Sequence, residues 1–259
     1  MSPTFNQREH YWNDTVSLLT YRQEGHLGWV TLTNAPYNVL AQPVFADLAE
    51  LRSFLATPSL KGVILAGAGR HFCGGADVDA LQEQGRDPDV LGPQLDAGKA
   101  LLDEISFATV PVLAMVRGAC LGAGLEIALA CHYRIASENA VFGFPEVEHG
   151  VMPGFGASVL AREHRVRLSV VDLVLSGRMI RGGEALEGGL IDQVVPTSDL
   201  ESKSEAFICS LVDGRSHAVI RAVMESLNNA RRLSREDALR RETELFCQLA
   251  QASFSKGSE

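Results

Sequence analysis

Apolar and polar positions change their spacing several times along this chain, and each change marks an element. Val16–Arg22 and Leu27–Asn34 are β-like runs flanking Glu24-Gly25, which predicts a hairpin. Asn34-Ala35-Pro36-Tyr37 predicts a loop. Val44, Phe45, Leu48, Leu51 and Leu55 recur at helical spacing within Pro43–Leu55. Gly62–Leu65 and Pro111–Val116 are short continuous apolar runs of the kind found in strands covered on both faces. Gln94–Phe107 predicts a helix. Tyr133–Ala136 and Val141–Gly143 predict short strands around a turn at Glu138-Asn139. From Val159 onward the pattern is mostly helical, interrupted by a strand-like Leu190–Val195, and Leu200–Ala250 predicts three amphipathic helices.

Two small-residue loops follow two of the apolar runs. The first is Gly67-Ala68-Gly69-Arg70-His71-Phe72-Cys73-Gly74-Gly75-Ala76-Asp77, and the second is Gly118-Ala119-Cys120-Leu121-Gly122-Ala123-Gly124. The order strand, glycine-rich loop, helix therefore occurs twice, over Gly62 to Leu81 and Val112 to Cys131. A repeated supersecondary unit predicts a coiled or layered architecture. A glycine-rich loop entering a helix lets the backbone approach a ligand closely. The first N–H groups of such a helix lack internal partners and carry the positive end of its dipole.

Composition narrows the picture. The chain has 259 residues, of which 46% are hydrophobic, enough for one large domain or two small ones. Its formal net charge is -9 and it has no basic cluster, which argues against nucleic-acid and anionic-membrane partners. The polar start MSPTFNQREHYWND lacks an apolar signal region, and no stretch approaches a membrane span of about 20 apolar residues. The expectation is a cytoplasmic protein. The five cysteines are odd in number and show no CxxC spacing, so neither a disulfide framework nor a zinc site is expected. Residues 1–14 are expected to form an arm, 15–198 a core and 199–259 a helical region.

Two acids carry the candidate chemistry. Glu126 lies among Leu125, Ile127, Ala128, Leu129 and Ala130, and a helix apolar on every face is buried. A buried carboxylate needs hydrogen bonds or a partner. The alternative is an acid favoured in a first helical turn by the dipole, although no Ser, Thr, Asp or Asn nearby completes a capping box. Glu146 follows Phe144-Pro145, and an acid after proline is also an ordinary helix start. If the two acids meet in a partly apolar pocket, their pKa values separate and one serves as base, the other as acid. Asp77 fits a helix cap. Cys73 and Cys120 fit small buried thiols better than nucleophiles. Glu148 and His149 fit a surface better than a pocket, and the pairs Arg231-Arg232 and Arg240-Arg241 fit solvated helix charges.

From Val16 onward the chain resembles the crotonase family, the enoyl-CoA hydratases and isomerases. The resemblance is carried by His71–Asp77, by Gly118–Glu126, by Phe142-Gly143-Phe144-Pro145-Glu146 and by Pro153-Gly154-Phe155-Gly156, four motifs in family order. It implies an α/β fold, a crotonase-like spiral of ββα units with a C-terminal helical trimerisation region, as a homotrimer or dimer of trimers. It implies that the N–H groups of Ala76 and Ala123 receive a thioester oxygen. Glu126 and Glu146 match the two catalytic glutamates of hydratases. Gly75, Asp77, Gly122, Pro153, Gly154 and Phe155 match substrate-binding positions. The implied reaction is addition of water to an α,β-unsaturated acyl-CoA, or its reverse, with no metal and no cofactor beyond the coenzyme A of the substrate. Family members that isomerise or decarboxylate often lack one of the acids. Such an activity, for example in polyketide β-branching, is the alternative, and a non-catalytic binding protein is a further one.

Four departures stand out. Ala123 replaces the usual glycine, and Phe155 stands where the family is small. Asp79 stands where many members place a lysine near the nucleotide phosphates. The usual aromatic-and-lysine tail is expected to be cut short after Phe254-Ser255-Lys256. The last two features make the phosphopantetheine of an acyl-carrier protein an alternative to coenzyme A.

Overall fold

The computed structural model describes residues 18–40, 48–164 and 166–254. The expected arm, Val16 and Ser17, the first part of the Pro43–Leu55 helix and the tail from Ser255 lie outside the described residues. The hairpin is β1 (Leu19–Glu24) and β2 (Leu27–Leu32), antiparallel, with Gly25 and His26 at the turn. Next come α1 (Leu48–Leu55), β3 (Gly62–Gly67), α2 (Val78–Gln84) and α3 (Pro88–Ser106). The second unit is β4 (Val112–Val116), β5 (Ala119–Leu121) and α4 (Ala123–Ala130). A third is β6 (Tyr133–Ser137), β7 (Val141–Gly143), a 3-10 turn at Pro145–His149 and α5 (Ala157–Glu163). The chain continues through α6 (Val170–Ser176), β8 (Ile180–Arg181), α7 (Gly182–Glu187) and β9 (Gln193–Val195). It ends in α8 (Leu200–Val212), α9 (His217–Arg232) and α10 (Arg235–Phe254), the three helices the sequence predicts.

Two sheets organise these elements. A six-stranded sheet runs β1-β2-β3-β4-β6-β9, parallel from β2 onward, and a three-stranded sheet runs β5-β7-β8. Alternation along the strands divides the large sheet. Trp29, Ile64, Leu113 and Ile135 face α8 and pack with Leu200 and Ile208. Val30, Val63, Leu65 and Val112 face the other way, into the main core with Leu101 and Ile105 of α3 and Leu125 and Leu129 of α4. Each fully buried side chain of this size contributes about 1.5–3 kcal/mol. Burial on both faces explains the continuous apolar runs in β3 and β4.

The second sheet corrects the reading of the small-residue loops. Ala119-Cys120-Leu121 is a strand, paired in parallel with Val141-Phe142-Gly143, and Cys73 forms a parallel bridge to Cys120. Three residues flanked by glycines are too few to show a period. The unit is thus strand, short strand, helix, and successive short strands stack beside one another. Further differences follow from local chemistry. The Gln94–Phe107 helix begins earlier, at Pro88, because the Asp87 side chain caps it through the Asp89 N–H. In Leu190–Val195 only Gln193–Val195 forms a strand, since the Leu190 N–H donates to the Ala185 carbonyl instead. The two-residue β8 has no sequence signature.

Two buried polar residues carry no signal in the sequence. The Arg134 guanidinium donates to the carbonyls of Leu190 (2.9 Å) and Cys131 (2.6 Å) and faces Asp192 at 3.5 Å. Asn38 has a φ of +53° and donates from Nδ2 to the carbonyls of Ala68 (3.0 Å), His71 (2.8 Å) and Phe72 (3.2 Å). It thereby shapes the first loop, and alanine there both strands three carbonyls and is strained at positive φ. Asn38→Ala is expected to lower unfolding stability by about 1–3 kcal/mol, read as a lower urea midpoint with an unchanged slope.

Candidate functional site

The pairing of β5 with β7 brings the two acids together. Gly122 N–H donates to Gly143 O at 2.9 Å, so the chain leaving β7 passes the start of α4. Three residues on, Glu146 lies in the 3-10 turn against Gly122. A Cβ at Gly122 would stand 2.6 Å from Glu146 Oε1, and the φ of +51° there also calls for glycine. Glu126 lies one turn into α4, all of whose residues are buried. Both carboxyl groups line a single cavity of about 580 Å³.

Their surroundings differ. Glu126 is 1% exposed, and its Oε1 accepts three backbone N–H bonds, from Phe155 (2.9 Å), Gly156 (2.7 Å) and Ala157 (2.9 Å). Burial pushes its pKa above the ordinary carboxylate range, and the three amides oppose that push. Glu146 has no such cradle. Its Oε2 is buried without a hydrogen-bond partner among the described residues. Burial pushes its pKa up to about 7; its own backbone N–H lowers it, and the charge of Glu126 raises it further. One site therefore holds a carboxyl fixed by three donors beside another poised near neutrality.

The remaining expected positions fall around the acids. Ala76, Asp77, Ala123, Gly154 and Phe155 line the same cavity. Among the described residues neither the Ala76 nor the Ala123 N–H has a hydrogen-bond acceptor. Ala123 is the first residue of α4, and the positive φ falls on Gly122, so the methyl that departs from the family pattern meets no strain. The Gly75 carbonyl accepts from the Leu40 N–H (2.8 Å), so the Ala76 N–H, on the opposite side of the same trans peptide, points away from Leu40. Pro153 is buried and, like Gly75 and Gly122, is not among the residues lining the cavity. Asp77 caps α2 through the Ala80 N–H (3.0 Å), and Asp79 is exposed in that helix's first turn.

Phe155 packs as well as lines. Its ring lies where a Cβ on Gly98 would be, 2.7 Å from the nearest ring carbon, so α3 and the Phe155 loop meet face to face. Sequence reasoning misses the cavity's apolar walls, Leu81, Leu91, Leu95 and Met152. They come from α2, α3 and the loop after Gly150, and their apolar character matches ordinary core. Among the described residues lining the cavity, none is Lys or Arg.

The other candidates resolve in the structure. Burial pushes the Cys73 thiol up to about 12 and raises Cys120 well above its usual value, so both are inert small side chains. His71 Nδ1 accepts from the Ala119 N–H at 3.0 Å and its ring stacks on Tyr37. Glu148 and His149 are exposed. The arginine pairs are more than solvated charges. Arg231 donates to Ser106 O (3.0 Å) and pairs with Glu163, Arg232 lies 4.0 Å over the Phe107 ring, and Arg241 bridges Glu225 and Glu244.

A spiral of ββα units with paired glutamates in one apolar cavity defines an α/β protein of the crotonase class. The family described as Enoyl-CoA hydratase/isomerase matches residues 22–259, and the chain belongs to that family. The chain is 29% identical over 231 residues to the "Probable enoyl-CoA hydratase" of Bacillus subtilis (strain 168), covering 88% of each protein. It is 37% identical over 177 residues to the "Peroxisomal bifunctional enzyme" of Cavia porcellus, a match covering 68% of this chain and 24% of that protein. The chain thus spans about a quarter of the length of several curated relatives it matches. Among solved structures, an enoyl-CoA hydratase from Polaromonas sp. JS666 superposes with a TM-score of 0.81 at 26% identity, over 92% of this chain and 93% of that one. One from Bacillus anthracis gives 0.79 at 25% identity, over 89% and 90%. Among the described residues no helix is long and apolar enough to cross a membrane.

Glu146 links the site to stability. Its folded pKa of about 7 lies above its ordinary value of 4.5, so the folded state holds the proton more tightly. Its contribution is favourable below about pH 4.5 and is lost as pH rises through about 7. Glu146→Gln is expected to match the wild type in Tm at pH 4 and to exceed it at pH 8.

Proposed function

We propose that the chain is a hydro-lyase that adds water across the double bond of an α,β-unsaturated acyl-CoA, or removes it in reverse. The observation that supports this best is the convergence of Glu126 and Glu146 in the cavity that the Ala76 and Ala123 peptides also border. In the hydration direction the thioester oxygen accepts from those two N–H groups. As water attacks the β-carbon, negative charge moves onto that oxygen, where preorganised amides typically contribute several kcal/mol. Glu126, held by three donors at Oε1, uses its other oxygen to orient the water and take its proton. Glu146, near its midpoint at neutral pH, supplies a proton to the α-carbon. The two carboxyls then re-equilibrate their proton through the shared cavity, so one water is added per turnover with no net change in the protein.

Apolar walls and the lack of cationic lining suit the acyl chain and the neutral pantetheine arm. Gly75, Asp77, Gly122, Pro153 and Gly154 shape the channel, and Phe155 limits its depth. Coenzyme A is the carrier we favour, with the nucleotide outside the cavity; carrier-protein phosphopantetheine is the alternative. No metal or redox cofactor enters this scheme. Val219, Val223 and Leu227 form an exposed apolar stripe on α9, which supports self-association into a trimer or a dimer of trimers.

The primary test follows the enoyl absorbance of crotonyl-CoA. Glu126→Gln and Glu146→Gln are each expected to lower kcat by about 100-fold or more, with far-ultraviolet circular dichroism unchanged. Wild-type turnover in either variant removes that residue from the mechanism. Absence of hydration across short, medium and long acyl chains overturns the assignment. Sedimentation velocity is expected to show a trimer or hexamer, and Val223→Glu to shift it toward monomer; a monomeric wild type refutes the association.

A further inference from the structure

Away from the cavity, the turn of the first hairpin and the end of α8 bring three different donor atoms together. His26 lies at the β1–β2 turn, its backbone carbonyl accepting from the Lys61 N–H at 2.8 Å. Cys209 and Asp213 lie one turn apart at the end of α8, the Asp213 N–H donating to Cys209 O at 2.8 Å, so their side chains share a face. One imidazole nitrogen, one sulfur and one carboxylate oxygen of the three all lie within 4.8 Å of each other. His26 Nε2 is 3.0 Å from Asp213 Oδ1. Yet that nitrogen is closed off from solvent and makes no hydrogen bond among the described residues. The two groups are close but misaligned for N–H donation, so the imidazole nitrogen remains unsatisfied beside the carboxylate and the sulfur.

We propose that His26, Cys209 and Asp213 form a binding site for one zinc ion per chain. The donor set is one that Zn²⁺ accepts and that Mg²⁺ and Ca²⁺, which take oxygen ligands, do not. Zinc bonds of about 2.0–2.3 Å put neighbouring tetrahedral ligands about 3.5 Å apart, so the cluster needs only small side-chain movements to close. On binding, the Cys209 thiol gives its proton to solvent and water fills the fourth position. Glu205, one turn earlier on α8, adds negative charge beside Cys209. Arg215 donates to the Asp213 backbone carbonyl at 2.9 Å, while the Asp213 carboxylate faces His26. None of the three ligands lines the glutamate cavity, so the ion has a structural role. It clips the hairpin turn to the helix that covers the outer face of the large sheet. CxxC arithmetic misses this site because its histidine lies far from the other ligands in sequence.

The test is titration of the full chain with zinc chloride by calorimetry in a non-chelating buffer. Cys209→Ser and His26→Ala serve as site variants. Cys247→Ser is the control for the exposed thiol. One ion per chain is expected in the wild type and in Cys247→Ser, with that event lost in both site variants and no heat from magnesium. Zinc is expected to raise Tm in the wild type and not in Cys209→Ser. Cobalt added to the wild type is expected to give a thiolate charge-transfer band, a readout that does not depend on how the variants fold. Absence of zinc binding, absence of the cobalt band, or an unchanged stoichiometry in Cys209→Ser or His26→Ala each overturns the proposal.

Discussion

One carboxylate oxygen organises the centre of this molecule. Oε1 of Glu126 receives the N–H groups of three consecutive residues, Phe155, Gly156 and Ala157. Without them, a carboxylate at that depth would sit neutral or force water into the core. With them, the acid is fixed in one rotamer and the turn is fixed around it. The same bonds satisfy donors at the start of α5, which has no side-chain cap. A group expensive to bury thus sets the path of the chain between Pro153 and α5.

Sheet pairing supplies the second acid. Glu146 reaches the site because β7 lies alongside β5, and the register of that pair decides where it stops. The short strands contribute little area, and their importance is positional. They stack like successive turns of a coil, and each turn delivers a different functional group to the same edge. The contrast between the carboxyls follows from this placement. Glu126, inside a helix, meets a neighbouring turn full of donors, whereas Glu146, in a 3-10 turn, meets the backbone edge of a glycine.

Much of this is legible in the sequence. The hairpin, the buried strands and the C-terminal helices follow from apolar spacing alone. Glu126, an acid in an otherwise apolar helix, stands out from its neighbours by residue type alone. Glu146 is ambiguous by itself, because an acid after proline is common; its significance comes from long-range pairing that no local pattern encodes. Three kinds of feature are hidden. Strands of two or three residues, such as β5 and β8, carry no period. Buried polar anchors such as Asn38 and Arg134 carry no signal in the sequence until their carbonyl partners are seen. The cavity walls at Leu91 and Leu95 differ from core leucines only by facing a space.

The contact between Phe155 and Gly98 has a consequence for how this cavity changes over generations. A bulky ring in the loop fits only because the facing helix has nothing on its α-carbon at that point. Neither position can drift alone: a larger residue at 98 evicts the ring, and a smaller one at 155 opens a void against α3. The pair behaves as a single heritable character, a lock of two tumblers on separate elements. Relatives that accommodate other substrate lengths should carry both exchanges together or neither.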